Sequence, residues 1–320
     1  MTGREPLALL DAGVDGDRRS VARLLSMVER GGDDARAVGA LAHARSGGGY
    51  TVGITGAPGA GKSTLTSSLV SVVRGDDTRV AVLAIDPSSP FTGGAILGDR
   101  IRMQDHALDD GVFIRSMATR GHLGGLSLAT PQAVRVLDAA GFPWVLVETV
   151  GVGQVEVEIV GAADTTVVVV NPGWGDAVQA NKAGLMEIAD VFVINKADRP
   201  GAGETRRDLS AMLDLTHDPH DEHGRWRPPI IDAVATDGTG VDELWGQIAA
   251  HRAHLESTDE LGRRRGRRAR EELTRIVAER LLLRARETSE GDRFDDLADR
   301  VESRGMDPWS AADMLLGSGS

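Results

Sequence analysis

Residues 56–63 read Gly56-Ala57-Pro58-Gly59-Ala60-Gly61-Lys62-Ser63, with Thr64 next. The spacing is G-x-x-x-x-G-K-[ST], a chemistry of phosphate. In such a loop consecutive backbone N–H groups turn inward around phosphate oxygens, and the helix that follows adds positive potential at its N-terminus. Lys62 is placed to reach the β- and γ-phosphates of a nucleotide, and the Ser63 hydroxyl to ligate Mg²⁺. A strand pattern, Tyr50-Thr51-Val52-Gly53-Ile54-Thr55, precedes the loop, and a helix pattern from Thr64 to Val70 follows it. Strand, glycine loop and helix is the context that supports the motif. The alternative, a glycine-rich turn with no ligand, is disfavoured because every fixed position and both flanks match.

A second constellation chooses the base. Asn195-Lys196-Ala197-Asp198 follows the apolar run Val191-Phe192-Val193-Ile194. The Asp198 carboxylate can accept from both N1–H and the 2-amino group of guanine. Adenine offers neither donor, and each missing charged bond is a loss of about 1.5–3 kcal/mol. Asn195 ties the loop together, and the Lys196 stem can lie on the purine face. The expected ligands are GTP and GDP, with Mg²⁺.

Other polar residues close apolar runs and are therefore site candidates. Asp86 follows 79–85, Glu148 follows 144–147, and Ala235 and Thr236 follow 229–234; Asp99 lies in the loop after Asp86. Glu148 can meet Mg²⁺ directly or through water, and the Gly151 N–H can contact the γ-phosphate. One acidic residue at a strand end is ordinarily a helix N-cap. Three beside a magnesium-nucleotide site favour metal or water positioning, with the split between direct ligand and general base left open. The catalytic candidates are Lys62, Asp86, Asp99 and Glu148; the metal candidates are Ser63, Asp86, Asp99 and Glu148.

The elements that must carry these groups are legible as runs. Continuous β-branched stretches such as Thr165-Thr166-Val167-Val168-Val169-Val170 predict strands buried on both faces. That is a mostly parallel sheet in an α/β fold of the P-loop NTPase class, with ligands at the carboxyl ends of its strands. Leu7, Leu10, Val14, then Val21, Leu24, Leu25, Val28, recur at helical spacing up to a break at Ser46-Gly47-Gly48-Gly49. The expected organisation is a helical N-terminal extension (1–48), a GTPase domain (49–256) and a C-terminal helical arm (257–320). The arm from Leu261 to Arg286 is amphipathic, with Leu273, Ile276, Val277 and Leu281 on one stripe, and homodimerisation is its economical use.

Composition narrows the class. A formal charge of −12 argues against nucleic acid as a partner. The chain has no cysteine, hence no disulfide framework and no thiolate metal site. No apolar run is long enough for a bilayer, and the N-terminus lacks a signal-peptide core, which predicts a cytoplasmic protein with no membrane partner. His217-Asp218-Pro219-His220-Asp221-Glu222-His223 looks like a metal-binding tract, but its proline and charges favour an exposed loop. The arginine run from Arg263 to Arg270 leads into the amphipathic arm and reads as a solvated helix face.

Longer signatures carry a family resemblance. They are residues 86–103 (from Asp86-Pro87-Ser88-Ser89-Pro90 to Met103), Arg120-Gly121-His122-Leu123-Gly124-Gly125, and Val147-Glu148-Thr149-Val150-Gly151-Val152-Gly153-Gln154. With Gly173-Trp174-Gly175-Asp176 and Asn195–Asp198, they resemble the MeaB/ArgK family of P-loop GTPases over nearly the whole chain. The resemblance implies a chaperone of adenosylcobalamin-dependent methylmalonyl-CoA mutase that gates cobalamin delivery and protects the mutase. It also implies nucleotide-dependent switches at 86–102, 148–156 and 173–184, with Gln179 and Lys182 as signalling positions. Ala177 stands where that family commonly has an acidic residue, and Asn181 where it has lysine. Two other readings remain at this stage. One is a small-molecule or transport-system kinase, which need not carry Asp198; the other is a nickel-insertion GTPase, disfavoured by the absence of cysteine.

Overall fold

The computed structural model describes residues 4–86, 106, 108–118, 129–149, 162–173, 187–216, 226–288 and 291–316. Its centre is a seven-stranded sheet in the order β3-β2-β4-β1-β5-β6-β7, every pair parallel. The strands are β1 (Tyr50–Gly56), β2 (Val80–Asp86), β3 (Val112–Ala118), β4 (Trp144–Thr149), β5 (Thr165–Val170), β6 (Val191–Asn195) and β7 (Ile230–Ala233). The predicted runs become strands because they are buried on both faces; β1, β5 and β6 have no exposed residue.

Alternate side chains feed two layers. Val52, Ile54, Val82, Leu146, Val167, Val169, Val191 and Val193 pack with Leu65, Leu69 and Val73 of α4 (Lys62–Gly75) and Leu244 and Ile248 of α7 (Val241–Ser257). The opposite face divides between two groups of helices. Ala81, Leu83, Ile85, Phe113, Val145 and Val147 meet α1 (Arg4–Val14), α2 (Arg18–Arg30), α3 (Gly32–Arg45) and α5 (Ala129–Ala139). Val168, Val170, Phe192 and Ile194 meet Leu209 and Leu213 of α6 (Ala202–Thr216). Each such buried aliphatic side chain contributes about 1.5–3 kcal/mol. The N-terminal helices therefore share a core with the sheet. On α2 that core face is Val21, Leu24, Leu25 and Val28, and Asp17 caps the helix by accepting from Arg19 N (3.1 Å) and Ser20 N (3.3 Å).

The edge strand β3 has no counterpart in the sequence reading. Arg115 and Ser116 interrupt its apolar pattern, and Arg115 is accommodated by an ion pair with Glu29 of α2.

The amino ends of the strands carry a polar network remote from the predicted site. Tyr50 Oη and Thr165 Oγ1 lie 2.7 Å apart, and Thr165 Oγ1 lies 2.8 Å from His251 Nδ1. His251 Nε2 lies 3.3 Å from Asp190 Oδ1, which accepts from Arg264 Nη1 at 3.0 Å. Burial, reinforced by the Arg264 charge, pushes the His251 pKa down to about 3. The imidazole is thus neutral at ordinary pH, and Arg264 supplies the cation facing Asp190.

The chain divides into two compact units, residues 1–264 and 265–320. The second holds most of α8 (Glu260–Thr288), together with α9 (Asp292–Glu302) and α10 (Pro308–Leu316). Asp307 caps α10 by accepting from Trp309 N (3.0 Å) and Ser310 N (3.1 Å). Leu273, Val277 and Leu281, four residues apart on α8, are exposed. No described helix is long and apolar enough to cross a membrane.

Candidate functional site

At the carboxyl end of β1 the chain enters the glycine loop and then α4. Two glycines are required by space. A Cβ on Gly56 (φ +131°) would stand 1.9 Å from the Val169 carbonyl oxygen, and one on Gly61 (φ +88°) 2.4 Å from Asn195 Nδ2. The loop closes on itself through Ala60 N donating to Ala57 O at 3.1 Å. Lys62 is buried, and its ammonium donates to Gly56 O (2.7 Å) and Ala57 O (3.0 Å), which holds it against the loop.

Glu148 sits near the end of β4, next to β1 in the sheet. The Ser63 hydroxyl donates to Glu148 Oε1 at 2.5 Å. Residues 85 apart in sequence thus present a hydroxyl and a buried carboxylate as one oxygen pair beside the glycine loop. Mg²⁺ takes one or two carboxylates together with phosphate and water oxygens, and Ser63 with Glu148 is a donor set of that kind. No group of three or more His, Cys, Asp or Glu among the described residues could hold a metal by itself. A site completed by nucleotide phosphates does not need one.

The base loop follows β6. Asn195, buried, donates from Nδ2 to Ala60 O (2.7 Å) and accepts at Oδ1 from Ala235 N (3.1 Å). Lys196 adopts a left-handed backbone (φ +60°), and its Nζ donates to Gly59 O at 2.7 Å. Ala197 N donates to Ala233 O at 3.0 Å. Three loops, after β1, β6 and β7, are locked together by these bonds. Asp198 is exposed and makes no hydrogen bond or ion pair with the described residues.

The structure thus gathers Gly56–Lys62, Ser63, Glu148, Asn195, Lys196, Asp198 and Ala235 at the carboxyl ends of β1, β4, β6 and β7. Thr64 lies on the first turn of α4, Thr236 follows Ala235, and Asp86 closes β2. Asp99, Gly151, the His217–His223 tract and most of the three predicted switch stretches lie outside the described residues. One participant has no motif to announce it: Ser68 on α4, whose hydroxyl donates to Ala235 O at 2.7 Å. Its partner is 167 residues away, so no local pattern carries the signal.

Comparison with known proteins gives the same class. The family model described as methylmalonyl-CoA mutase-associated GTPase MeaB matches residues 21–290. A Pyrococcus abyssi protein bearing a GTPase name is 52% identical over 94% of this chain and 93% of its own. The GTPase ArgK of Escherichia coli strain K12 is 37% identical over 76% of this chain and 73% of its own. Among solved structures, one described as an LAO/AO transport system kinase matches with a TM-score of 0.71 at 25% identity, covering 99% of this chain and 98% of that one. A phosphate loop locked to an asparagine-centred base loop, on a chain matched by one family model over most of its length, admits a single conclusion: this GTPase belongs to the MeaB family.

Proposed function

We propose that the protein is a GTP-hydrolysing chaperone of an adenosylcobalamin-dependent mutase of the methylmalonyl-CoA type, acting in the cytoplasm to assist cofactor loading and protection. The observation that carries this reading is the family match over residues 21–290 under a description that names association with that mutase. In this reading the glycine-loop N–H groups and Lys62 hold the β- and γ-phosphates. Ser63 and Glu148 hold Mg²⁺, with Asp86 and Asp99 as further candidates. When bound, the ion neutralises charge on the bridging phosphate oxygens. Asp198 accepts from guanine N1–H and the 2-amino group, Lys196 lies along the purine, and the turn at Ala235-Thr236 completes the base site. The transport-kinase alternative, after which the structural relative is named, requires no guanine-reading carboxylate and leaves Asp198 without a use.

Turnover is expected to be slow alone. Val152 stands where many GTPases carry a water-orienting glutamine, and a trans-acting arginine is worth about 10³–10⁵ in rate where one exists. Phosphate release should rise when the matching mutase is added. Gln179→Ala and Lys182→Ala should reduce that stimulation while leaving basal hydrolysis near the parent value. If neither the parent nor any variant responds to the mutase, the chaperone reading is wrong. A response that is full in both variants removes only the signalling role of the 173–184 stretch.

The exposed Leu273, Val277 and Leu281 on α8 support a homodimer, since a second copy would bury the same stripe. Val277→Glu places a charge on it and should convert a dimer to monomer in sedimentation velocity, with the melting temperature of the GTPase unit unchanged. A wild-type chain that sediments as monomer at high micromolar concentration would contradict this assignment.

A further inference from the structure

The turn after β7 carries one donor whose orientation is set from another element. Along 234–239, Val234 N donates to Thr239 O and Ala235 N to Asn195 Oδ1. Asp237 N and Gly238 N donate to Val234 O, and Thr239 N to Asp237 Oδ1. The Thr236 N–H has no such acceptor among the described residues, and Thr236 is exposed. The peptide bond that holds it also holds the Ala235 carbonyl. All described peptide bonds are trans, so that carbonyl and that N–H point in opposite directions. Ser68 Oγ donates to the Ala235 carbonyl at 2.7 Å, which fixes the plane of the peptide and turns the Thr236 N–H away from α4.

The local alternative for the Ser68 hydroxyl is the bond back to Thr64 O, one helical turn earlier, at 3.1 Å. A hydroxyl has one proton, and the shorter contact is the one across the fold. It joins the helix that begins with Lys62 and Ser63 to the turn paired with the base loop.

We propose that Ser68 is a positioning residue for guanine selection: it holds the Ala235-Thr236 peptide so that the Thr236 N–H meets the 6-oxo group of the base. The inference rests on the reading that Asn195–Asp198 and Ala235-Thr236 enclose the purine. Guanine presents an acceptor at C6 and adenine a donor, so a fixed N–H there favours the first and opposes the second. A freely rotating peptide would discriminate less, because its alternative orientation offers a carbonyl.

The test uses the full chain and three nucleotides: GDP, IDP and 2-aminopurine riboside diphosphate. IDP keeps the 6-oxo group and lacks the 2-amino group; the third keeps the 2-amino group and lacks the 6-oxo group. Its missing N1 proton is common to parent and variant and cancels in their ratio. Ser68→Ala should weaken GDP and IDP alike, by about fivefold, the effect of one neutral hydrogen bond. Affinity for the 2-aminopurine nucleotide should stay unchanged, so selection at position 6 falls while selection at position 2 does not. Ser68→Thr, which keeps the hydroxyl, should restore GDP binding. Equal weakening of all three nucleotides would mean a packing role only, and no weakening of any would mean that the Thr64 bond is the one that counts; either overturns the proposal. A parent protein that binds the 2-aminopurine nucleotide as tightly as GDP would instead refute the placement of the base between the two loops, and Ser68 with it.

Discussion

Replacing Asp198 by asparagine is expected to exchange guanine for xanthine as the preferred base. The carboxylate of Asp198 accepts two hydrogen bonds from guanine in the proposed site, and each charged bond is worth about 1.5–3 kcal/mol. An amide keeps one acceptor for N1–H but turns a donor toward the 2-amino group, so a bond becomes a clash of donors. GDP and GTP should weaken by about a hundredfold or more. Xanthosine nucleotides carry a 2-oxo group where guanosine carries the amine, and the amide donor satisfies it. They should gain affinity until they bind the variant more tightly than GDP does. Folding should be untouched, because Asp198 is exposed and bonds to none of the described residues. The measurement is competitive displacement of a fluorescent guanosine diphosphate by XDP and GDP on parent and variant, with thermal melts beside it. A variant that still prefers GDP, at an unchanged melting temperature, places the base elsewhere.

That expectation draws on a motif legible in sequence, whereas several of its supports are not. Six strands can be read because Val, Ile and Thr runs are what a strand buried on both faces requires. β3 cannot, because its arginine makes sense only beside Glu29, 86 residues earlier. The same holds within the site. Gly61 reads as a fixed motif position, but its reason is the Asn195 amide 2.4 Å from where a Cβ would stand. Asn195 reads as part of a tetrapeptide, yet its two bonds reach Ala60 and Ala235, on loops before and after it. Ser63 and Glu148 read as separate metal candidates, and their hydrogen bond makes them one donor pair. Local patterns name the residue types; which atoms face each other depends on register across the sheet. α9 and α10 fall within the helical arm expected over 257–320, but their separate bounds escape for a different reason. They are short, and the cap formed by Asp307 ahead of Pro308 is the one local mark of a helix start.

Lys62→Ala should abolish hydrolysis while leaving a folded protein. Lys62 is the first residue of α4, where the helix dipole disfavours a cation by about 0.3–1 kcal/mol. It is also buried, and its ammonium is satisfied by two loop carbonyls at 2.7 and 3.0 Å. A lysine in that position is held against local electrostatics, which fits a group kept for an anionic ligand. Alanine removes the unfavourable dipole term and the desolvation cost of a buried ammonium, together several kcal/mol, and forfeits the two charged carbonyl bonds, opposing effects that leave stability near the parent value. In the reaction the loss is one-sided. Charge develops on the β–γ bridge and the γ-oxygens, and an ammonium fixed beside them acts most strongly at that stage. Removal of one such preorganised donor costs about 10²–10³ in rate. Lys62→Arg should not rescue it, because a planar guanidinium donates from a rigid fork and does not reproduce the compact ammonium that donates to both the Gly56 and Ala57 carbonyls. The readout is single-turnover phosphate release at saturating GTP, which separates the chemical step from weakened binding, together with a melting curve. If the alanine variant melts like the parent and still hydrolyses GTP at a rate within about tenfold of it, phosphate activation belongs to another residue and the role given to Lys62 is wrong.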